Sequence, residues 1–172
     1  RSEVIEQHFA HSGPPEMKIC CVREDTPLGT AGGFVQAITR QETSADTWLV
    51  LNGDSLVLAD LAGFAGDFEA GAWDAAVMGL RVADTARFGS LEAGPQGELR
   101  RFAEKRPGAG LINAGVYLFR SRAISRFPRR RPLSIETDVF PELLRHGTRV
   151  LVHAVEAPFL DIGTPESLAQ AE

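Results

Sequence analysis

The sequence of 172 residues is poor in cysteine, lysine and tyrosine, and it contains no long hydrophobic run. Its longest apolar stretches, such as residues 75–80, are far shorter than the roughly 20 residues that span a bilayer. The two cysteines, Cys20 and Cys21, are adjacent, which excludes a disulfide-stapled scaffold and a cysteine-rich metal site. We interpret them as core or near-core thiols in a reducing compartment. No basic-then-apolar leader opens the chain, so we expect a cytoplasmic protein without a membrane partner.

A basic excess is also missing. The 18 lysines and arginines are outnumbered by 23 aspartates and glutamates, which gives a net charge of -5. A nucleic-acid binder needs a basic face to displace counterions from phosphates, so this balance argues against such a partner. The basic cluster over residues 120–131 is interpreted as a solvated helix end and loop. With 44% hydrophobic and 24% charged residues, we expect one globular domain over residues 1–172.

Several common catalytic signatures do not occur. The sequence has no Gly-x-Ser-x-Gly elbow of a hydrolase and no Walker loop. It also lacks a dinucleotide fingerprint, which makes a Rossmann-type oxidoreductase the least favoured class. His8 and His11 lie three residues apart on a predicted helix without a third ligand, so a zinc site is disfavoured there.

The first half of the chain alternates helical and strand patterns. Residues 4–9 favour a short helix, residues 18–23 a strand and residues 34–38 a helix. Short apolar runs at 48–51 and 75–82 predict strands buried on both faces, and a helical pattern lies between them. This order predicts an α/β fold with a mostly parallel sheet covered by helices.

The second half shows shorter strand signals. They cover residues 89–93, 99–104 and 112–119. We expect a helix over 136–145 and a strand over 149–156. The last helix has a clear start signal, with Thr164 as its N-cap and Pro165 at its first position.

Two carboxylates occupy positions where a ligand could bind. Asn52-Gly53-Asp54 follows the first buried strand, and open α/β sheets bind ligands beyond the carboxyl ends of their strands. Asn-Gly is also the strongest short hairpin signal, so a β-hairpin stays an alternative, although the helical pattern that follows weakens it. Asp161 precedes the last helix and could complete a site for a hard cation with phosphate. Taken alone, Asp161 is better explained as a partner of backbone amides in its turn.

Three further features could bind a ligand. The loop over residues 28–33 consists largely of small residues, so its backbone amides could approach a phosphate or a base. Glu104 and Lys105 could bind a sugar hydroxyl and a phosphate if a bulge turned them together; otherwise they form a charged strand end. Asn113 lies in an apolar strand and needs a partner, either a backbone group or a ligand hydroxyl.

In their order along the chain, these segments resemble the sugar-1-phosphate nucleotidyltransferases, the nucleotide-sugar pyrophosphorylases. The series is Leu28-Gly29-Thr30-Ala31-Gly32, Asn52-Gly53-Asp54, Arg87-Phe88-Gly89, Phe102-x-Glu104-Lys105, Ile112-Asn113-Ala114-Gly115-Val116-Tyr117 and Asp161-Ile162-Gly163-Thr164-Pro165-Glu166. Residues 134–141 are most similar to the branch that contains D-glycero-D-manno-heptose 1-phosphate and mannose-1-phosphate guanylyltransferases. The resemblance implies a Rossmann-like three-layer α/β/α sandwich with a mixed, mostly parallel sheet.

The resemblance also implies a reaction and its residues. In such enzymes a sugar 1-phosphate attacks the α-phosphorus of an NTP, here GTP, and pyrophosphate leaves. By this similarity Asp54 and Asp161 would hold Mg²⁺, and Lys105 would contact the sugar phosphate. The implied nucleotide contacts are Leu28, Gly29, Thr30, Ala31 and Gly32, and the implied sugar contacts are Gly89, Glu104, Asn113 and Glu136. The implied partners are the NTP and the sugar 1-phosphate, with a homo-oligomer left open.

The sequence also departs from the family pattern. The family begins with a Gly-x-Gly-Thr-Arg loop and a later Pro-Lys pair around the triphosphate, and neither occurs here. Arg106 separates Lys105 from Pro107, where the pattern runs Glu-Lys-Pro directly. We therefore expect an N-terminally incomplete domain. The alternative is a non-catalytic sugar-nucleotide-binding or regulatory module of the same fold.

Overall fold

The computed structural model describes residues 2–40, 44–86, 88–103, 107–163 and 165–169. Its helices are α1 (Ser2–Ser12), α2 (Thr30–Thr39), α3 (Leu61–Ala70), α4 (Ser121–Ile124), α5 (Phe140–Arg145) and α6 (Pro165–Ala169), with a π-helical turn over Ile135–Val139. Its strands are β1 (Thr47–Leu51), β2 (Ser55–Val57), β3 (Ala75–Val82), β4 (Ser90–Ala93), β5 (Leu99–Ala103), β6 (Gly110–Arg120), β7 (Val150–Val155) and β8 (Phe159–Asp161). This alternation confirms the predicted α/β class. No helix within the described ranges is long and apolar enough to cross a membrane.

Six strands form one open mixed sheet around the long strand β6. β3 pairs antiparallel with one edge of β6, and β1 and β4 pair antiparallel with its other edge. β7 extends the sheet beyond β3 in parallel, and β5 extends it beyond β4 in antiparallel. β2 and β8 form a separate antiparallel pair. β6 is therefore the strand that connects the two halves of the large sheet.

The mixed sheet is confirmed, but its strands are not mostly paired in parallel. Among the described strands, β3 and β7 are the one parallel pair. β1, β3 and β7 do run in the same direction, as the alternating pattern predicts, but β6 lies antiparallel between β1 and β3. The pattern along a sequence gives the order of elements, whereas the neighbours of a strand depend on how the whole chain returns to the sheet.

Two hydrophobic clusters cover the two faces of the large sheet. Successive β3 residues alternate between them, since Ala75 and Val77 belong to one cluster and Ala76 and Met78 to the other. Residues of α2 and α5 pack in the first cluster, and residues of α3 pack in the second. This arrangement gives the three layers that the resemblance implies.

Two predictions about burial and one about a strand are wrong. Residues 18–23 form no strand, because they pair with no strand in the described ranges, and Cys20 and Cys21 are both exposed. β1 is only partly buried, with Leu49 47% and Leu51 56% exposed. An apolar run reflects the hydrophobicity of a segment. Burial of both faces also needs a neighbouring layer, which the described residues do not supply over these side chains.

Gly115 in β6 adopts a φ of +73°, and a Cβ there would lie 2.9 Å from the Asn52 side chain. We predict that Gly115→Ala lowers the free energy of unfolding by about 2 kcal/mol or more. The left-handed backbone conformation is strained for alanine, and the added Cβ would also displace the Asn52 side chain. In Gly66→Ala, where the added Cβ meets nothing within 4 Å, alanine should stabilise α3 by up to about 1 kcal/mol. Urea denaturation measures both variants, and equal stabilities would contradict the prediction.

Candidate functional site

The Asn52-Gly53-Asp54 turn directly follows β1, and its Asp54 lies on a backbone segment adjacent to the one that carries Asp161. In the β2–β8 ladder Asp161 is the partner of Ser55, and the Ile162 amide donates to the Asp54 carbonyl oxygen at 2.8 Å. Residues 107 positions apart in sequence therefore lie on adjacent backbone segments, as the resemblance implies. The hairpin alternative is wrong, since β2 pairs with β8 and not with β1.

Within the described residues, each of the two aspartates uses one carboxylate oxygen, Oδ1, in a hydrogen bond. Asp54 Oδ1 accepts a hydrogen bond from Ser55 Oγ at 3.3 Å, and Asp161 Oδ1 accepts one from the Gly163 amide at 2.9 Å. Neither carboxylate forms an ion pair with a cation in the described part of the chain. A cluster of three or more metal-ligating side chains is also absent from those residues. The pair thus fits a hard cation that takes its other ligands from a phosphate or water.

A cavity of about 370 Å³ opens beside this turn. Thr30, Asn52 and Asp54 line it together with the apolar side chains of Val50 and Ile135. Gly53 also lines it, and a Cβ added there would meet nothing within 4 Å. The cavity therefore brings one residue of the implied nucleotide loop to the same space as the turn that carries Asp54.

The loop over residues 28–32 is bound tightly to the segment after the basic cluster. The Ala31 and Gly32 amides both donate to the Leu133 carbonyl oxygen, at 2.9 and 3.2 Å, and the Leu133 amide donates to the Leu28 carbonyl oxygen. Gly29 adopts a φ of +78°, and a Cβ there would lie 2.5 Å from that same Leu133 oxygen. The amides that the small residues were predicted to offer to a phosphate are therefore used inside the protein at two of these positions.

The loop also divides its side chains between two cavities. Thr30 lies at the cavity beside Asp54, whereas Leu28 lines a second cavity with Gln36, Arg40 and Arg131. The Thr30 hydroxyl accepts a hydrogen bond from the Ile135 amide at 2.9 Å. Of the five implied nucleotide contacts, Thr30 is thus the one that lines the cavity beside Asp54.

Asn113 and Glu136 meet at a tyrosine that the site prediction did not include. The Asn113 Nδ2 amide donates to the Tyr117 hydroxyl at 2.7 Å, and this hydroxyl donates to Glu136 Oε1 at 2.7 Å. Asn113 Oδ1 accepts from the Gly115 amide at 3.0 Å, and Ser134 Oγ donates to Glu136 Oε2 at 2.9 Å. The partners that Asn113 needs are therefore a backbone group and Tyr117. The signal that could have found Tyr117 is its position four residues after Asn113 on the same strand.

The π-helical turn places Glu136 over this strand. The predicted helix over 136–145 is divided into this turn and α5. Ile135 and Val139 are fully buried, while Glu136 between them is half-buried and faces Tyr117. Such turns are frequent at functional sites because the extra residue redirects a side chain.

Tyr117 itself is fully buried. Burial and the adjacent Glu136 carboxylate raise the pKa of Tyr117 far above 10, the ordinary value for a phenol. The hydroxyl therefore keeps its proton throughout the physiological range and remains a donor to Glu136.

The remaining implied sugar contacts divide into one that is placed and one that is not. Gly89 lies next to Asn113, whose backbone amide donates to the Gly89 carbonyl oxygen at 3.3 Å. A Cβ added at Gly89 would meet nothing within 4 Å. Glu104 lies outside the described residues, as does Lys105, the implied phosphate contact. Thr164, the predicted N-cap of α6, also lies outside them.

Comparison with known proteins gives consistent matches along the whole chain. Residues 1–172 match the family of proteins described as nucleotidyl transferases. A mannose-1-phosphate guanylyltransferase of Mycobacterium tuberculosis is 34% identical over 170 residues, which cover 97% of this chain and 47% of that protein. The catalytic subunit beta of a mannose-1-phosphate guanylyltransferase of Danio rerio is 28% identical over 96% of this chain and 46% of its own. The chain thus spans about half the length of the curated relatives it matches.

A solved structure is similar over nearly the entire chain. HddC from Yersinia pseudotuberculosis, crystallised as a complex with GMP-PN, superposes with a TM-score of 0.85 at 28% sequence identity. The match covers 99% of this chain and 73% of the HddC chain.

The buried phenol predicts a specific loss of stability in alkali. Above pH ~10 the unfolded chain releases the tyrosine proton while the folded chain retains it, so the unfolded state binds fewer protons and gains stability. We expect the free energy of unfolding to fall by about 1.4 kcal/mol per pH unit more in the wild type than in Tyr117→Phe. Below pH ~10 both states keep the proton, and the two slopes should agree.

Urea denaturation of both proteins between pH 8 and 12 measures this difference. Because the chain has a single tyrosine, absorbance at 295 nm reports the phenolate directly. A phenolate signal from the folded wild type near pH 10 would contradict the prediction.

Proposed function

Because the chain belongs to the nucleotidyl transferase family, we propose that it transfers GMP from GTP to a sugar 1-phosphate and releases pyrophosphate. The observation that carries the proposal is the backbone adjacency of Asp161 to Asp54, which lines a cavity together with Thr30 and Asn52. Two aspartates on adjacent segments, beside a glycine whose Cα faces empty space, suit a metal-bound phosphate.

The residues present fit a magnesium ion. Asp54 and Asp161 would hold Mg²⁺ through their carboxylates, and the Ile162 hydrogen bond to the Asp54 backbone keeps the two residues together. The chemistry that Mg²⁺ would supply there is orientation of the α-phosphate and compensation of the charge that would grow as pyrophosphate leaves. The open space at Gly53 leaves room for a phosphate beside Asp54.

The chain's other side chains would select and orient the two substrates. Thr30 in the loop over 28–32 would contact the nucleotide, and Asn113, Glu136 and Gly89 would contact the sugar. Glu104 would add a sugar contact and Lys105 would contact the sugar phosphate, as the resemblance implies. These groups raise the rate by holding the sugar phosphate oxygen in line with the α-phosphorus.

We assign mannose or a manno-configured heptose as the sugar and guanine as the base. Two relatives are named mannose-1-phosphate guanylyltransferases, and the HddC crystal contains GMP-PN. Residues 134–141 add the similarity to the same branch. In this proposal residues 1–172 belong to one nucleotidyltransferase domain of a cytoplasmic protein, with no nucleic acid or membrane as a partner.

The direct test is pyrophosphate release from GTP and Mg²⁺ in the presence of mannose 1-phosphate or D-glycero-D-manno-heptose 1-phosphate. We expect release only when GTP and a sugar phosphate are both present, and faster release with GTP than with UTP, dTTP or CTP. Binding of GDP-mannose without any turnover would support the non-catalytic module instead.

Asp54→Asn tests the metal assignment. The amide removes one negative charge from the cation site, so we predict that pyrophosphate release falls by more than about 100-fold. EDTA should abolish wild-type turnover, and excess Mg²⁺ should restore it. The matched control is Asp67→Asn, an exposed carboxylate paired with His153, which should retain the wild-type rate. Undiminished turnover in Asp54→Asn would refute the assignment.

A further inference from the structure

We propose that Tyr117 is a positioning residue, whose hydroxyl holds Asn113 and Glu136 in one fixed donor and acceptor arrangement. The inference rests on the proposed function for its consequence, the recognition of a sugar hydroxyl. The arrangement itself rests on contacts within the described residues.

The direction of the hydrogen bonds follows from the number of protons available. The Tyr117 hydroxyl has one proton, and it lies 2.7 Å from Glu136 Oε1, an acceptor without a proton of its own when ionised. The hydroxyl must then accept from Asn113 Nδ2, which lies 2.7 Å away on its other side. The chain of donors therefore runs from Asn113 through Tyr117 to Glu136.

This direction determines which atoms of Asn113 face which neighbour. An asparagine amide can be rotated to exchange its oxygen and nitrogen, and the exchange would convert a donor into an acceptor. Here the oxygen accepts from the Gly115 amide at 3.0 Å while the nitrogen faces Tyr117. Both partners favour the same orientation, so the side chain has one stable arrangement.

Glu136 is held from both oxygens in the same way. Tyr117 donates to Oε1 and Ser134 Oγ donates to Oε2 at 2.9 Å, and Asn113 Nδ2 approaches Oε1 at 3.4 Å. Oε2, which has Ser134 as its one donor among these groups, retains a further lone pair for an incoming donor. With two donors fixing its plane, Glu136 cannot rotate away without leaving a buried hydroxyl unpaired, which is costly.

Asn52 connects this group to the turn that carries Asp54. The backbone amide of Asn52 donates to the Gly115 carbonyl oxygen at 2.8 Å. The Asn52 side chain packs against Gly115, which has no Cβ to keep it away. Tyr117 lies two residues after Gly115 on β6, so this backbone contact of Asn52 joins the strand that carries the network to the turn that carries Asp54.

The arrangement is chemically complementary to a hydroxyl group. The second N–H of Asn113 Nδ2 makes only a long contact of 3.4 Å to Glu136 Oε1, so a ligand hydroxyl can accept from it while donating to Glu136 Oε2. A carbonyl can only accept and an ammonium can only donate. Because the donor and the acceptor are oriented before the ligand arrives, binding does not incur the entropy cost of ordering them. We infer that Tyr117 contributes to sugar affinity without touching the sugar.

The kinetic test uses Tyr117→Phe, which removes one oxygen and retains the ring in the core. At saturating GTP, we expect the KM for mannose 1-phosphate to rise about tenfold or more, because Asn113 and Glu136 lose their common partner. The KM for GTP should stay within about twofold of the wild type. A residue with a merely structural role would move neither KM selectively.

Two further variants make the test specific. Glu136→Gln should raise the same KM, and the double variant should show clearly less than the product of the two single effects, since both changes break one network. Thr148→Val is the matched control, because it removes another buried hydroxyl, which accepts from Arg126, and should leave both KM values unchanged. Multiplicative effects of Tyr117→Phe and Glu136→Gln would overturn the proposal while the transferase function stands.

A spectroscopic readout separates failure of the inference from failure of the function. The sequence contains two asparagines, 52 and 113, and one tyrosine, so selective ¹⁵N-Asn and ¹³C-Tyr labels report on this site alone. We expect Tyr117→Phe to shift the Asn113 side-chain amide signal, and Glu136→Gln to shift the Tyr117 Cζ signal. Thr148→Val should shift neither.

The two readouts give distinct outcomes. If the wild type releases no pyrophosphate with any sugar phosphate, the proposed function fails. Shifts of the Asn113 and Tyr117 signals on substitution of their partners would still support the positioning arrangement. If the Asn113 and Tyr117 signals do not respond to the partner substitutions, the positioning role is wrong, whatever the enzyme assay shows.

Discussion

The hydrogen-bonded pairing of β6 along both of its edges is the constraint on which the rest of the structure depends. β3 pairs with one edge of β6, and β1 and β4 pair with the other edge. The position of β6 therefore determines where the ends of these three strands lie. The end of β1 delivers Asn52, the start of β4 lies next to Gly89, and β6 itself carries Asn113 and Tyr117. Any slip of β6 by one residue would move its side chains to the opposite face and separate these groups.

The candidate site combines two local arrangements that are held together by different kinds of interaction. Asp54 and Asp161 are brought together by backbone pairing of β2 with β8, and their side chains remain partly open to solvent. Asn113, Tyr117 and Glu136 are brought together by side-chain hydrogen bonds around a fully buried phenol. An open charged pair can accept a metal-bound phosphate, whereas a closed and satisfied network can present a fixed pattern of donors and acceptors. Asn52 connects the two arrangements, because it lies in the turn that carries Asp54 and its backbone amide donates to Gly115 of β6.

Much of the fold was predictable because it depends on local pattern. The helix at 34–38, the strands at 48–51 and 75–82 and the change of pattern after residue 82 all have counterparts in the structure. The strand at 18–23 and the burial of Cys20 and Cys21 were wrong because a strand and a buried face both require a partner. The resemblance implied Asp54, Asp161, Asn113 and Glu136 as site residues. The structure places Asp54 on a segment adjacent to that of Asp161, and it joins Asn113 to Glu136 through Tyr117. Their functional roles remain predictions.

The sequence by itself determined the class of the protein, the order of most of its elements and the family to which it belongs. These properties follow from periodicity and from short motifs that keep their order along the chain. Only the tertiary structure decided that β6 runs antiparallel between β1 and β3, that the Ala31 and Gly32 amides are bound by Leu133, and that Tyr117 joins Asn113 to Glu136. Each of these depends on contacts between residues far apart in sequence, and the free energy of such a contact exists only once the chain has closed the loop between them.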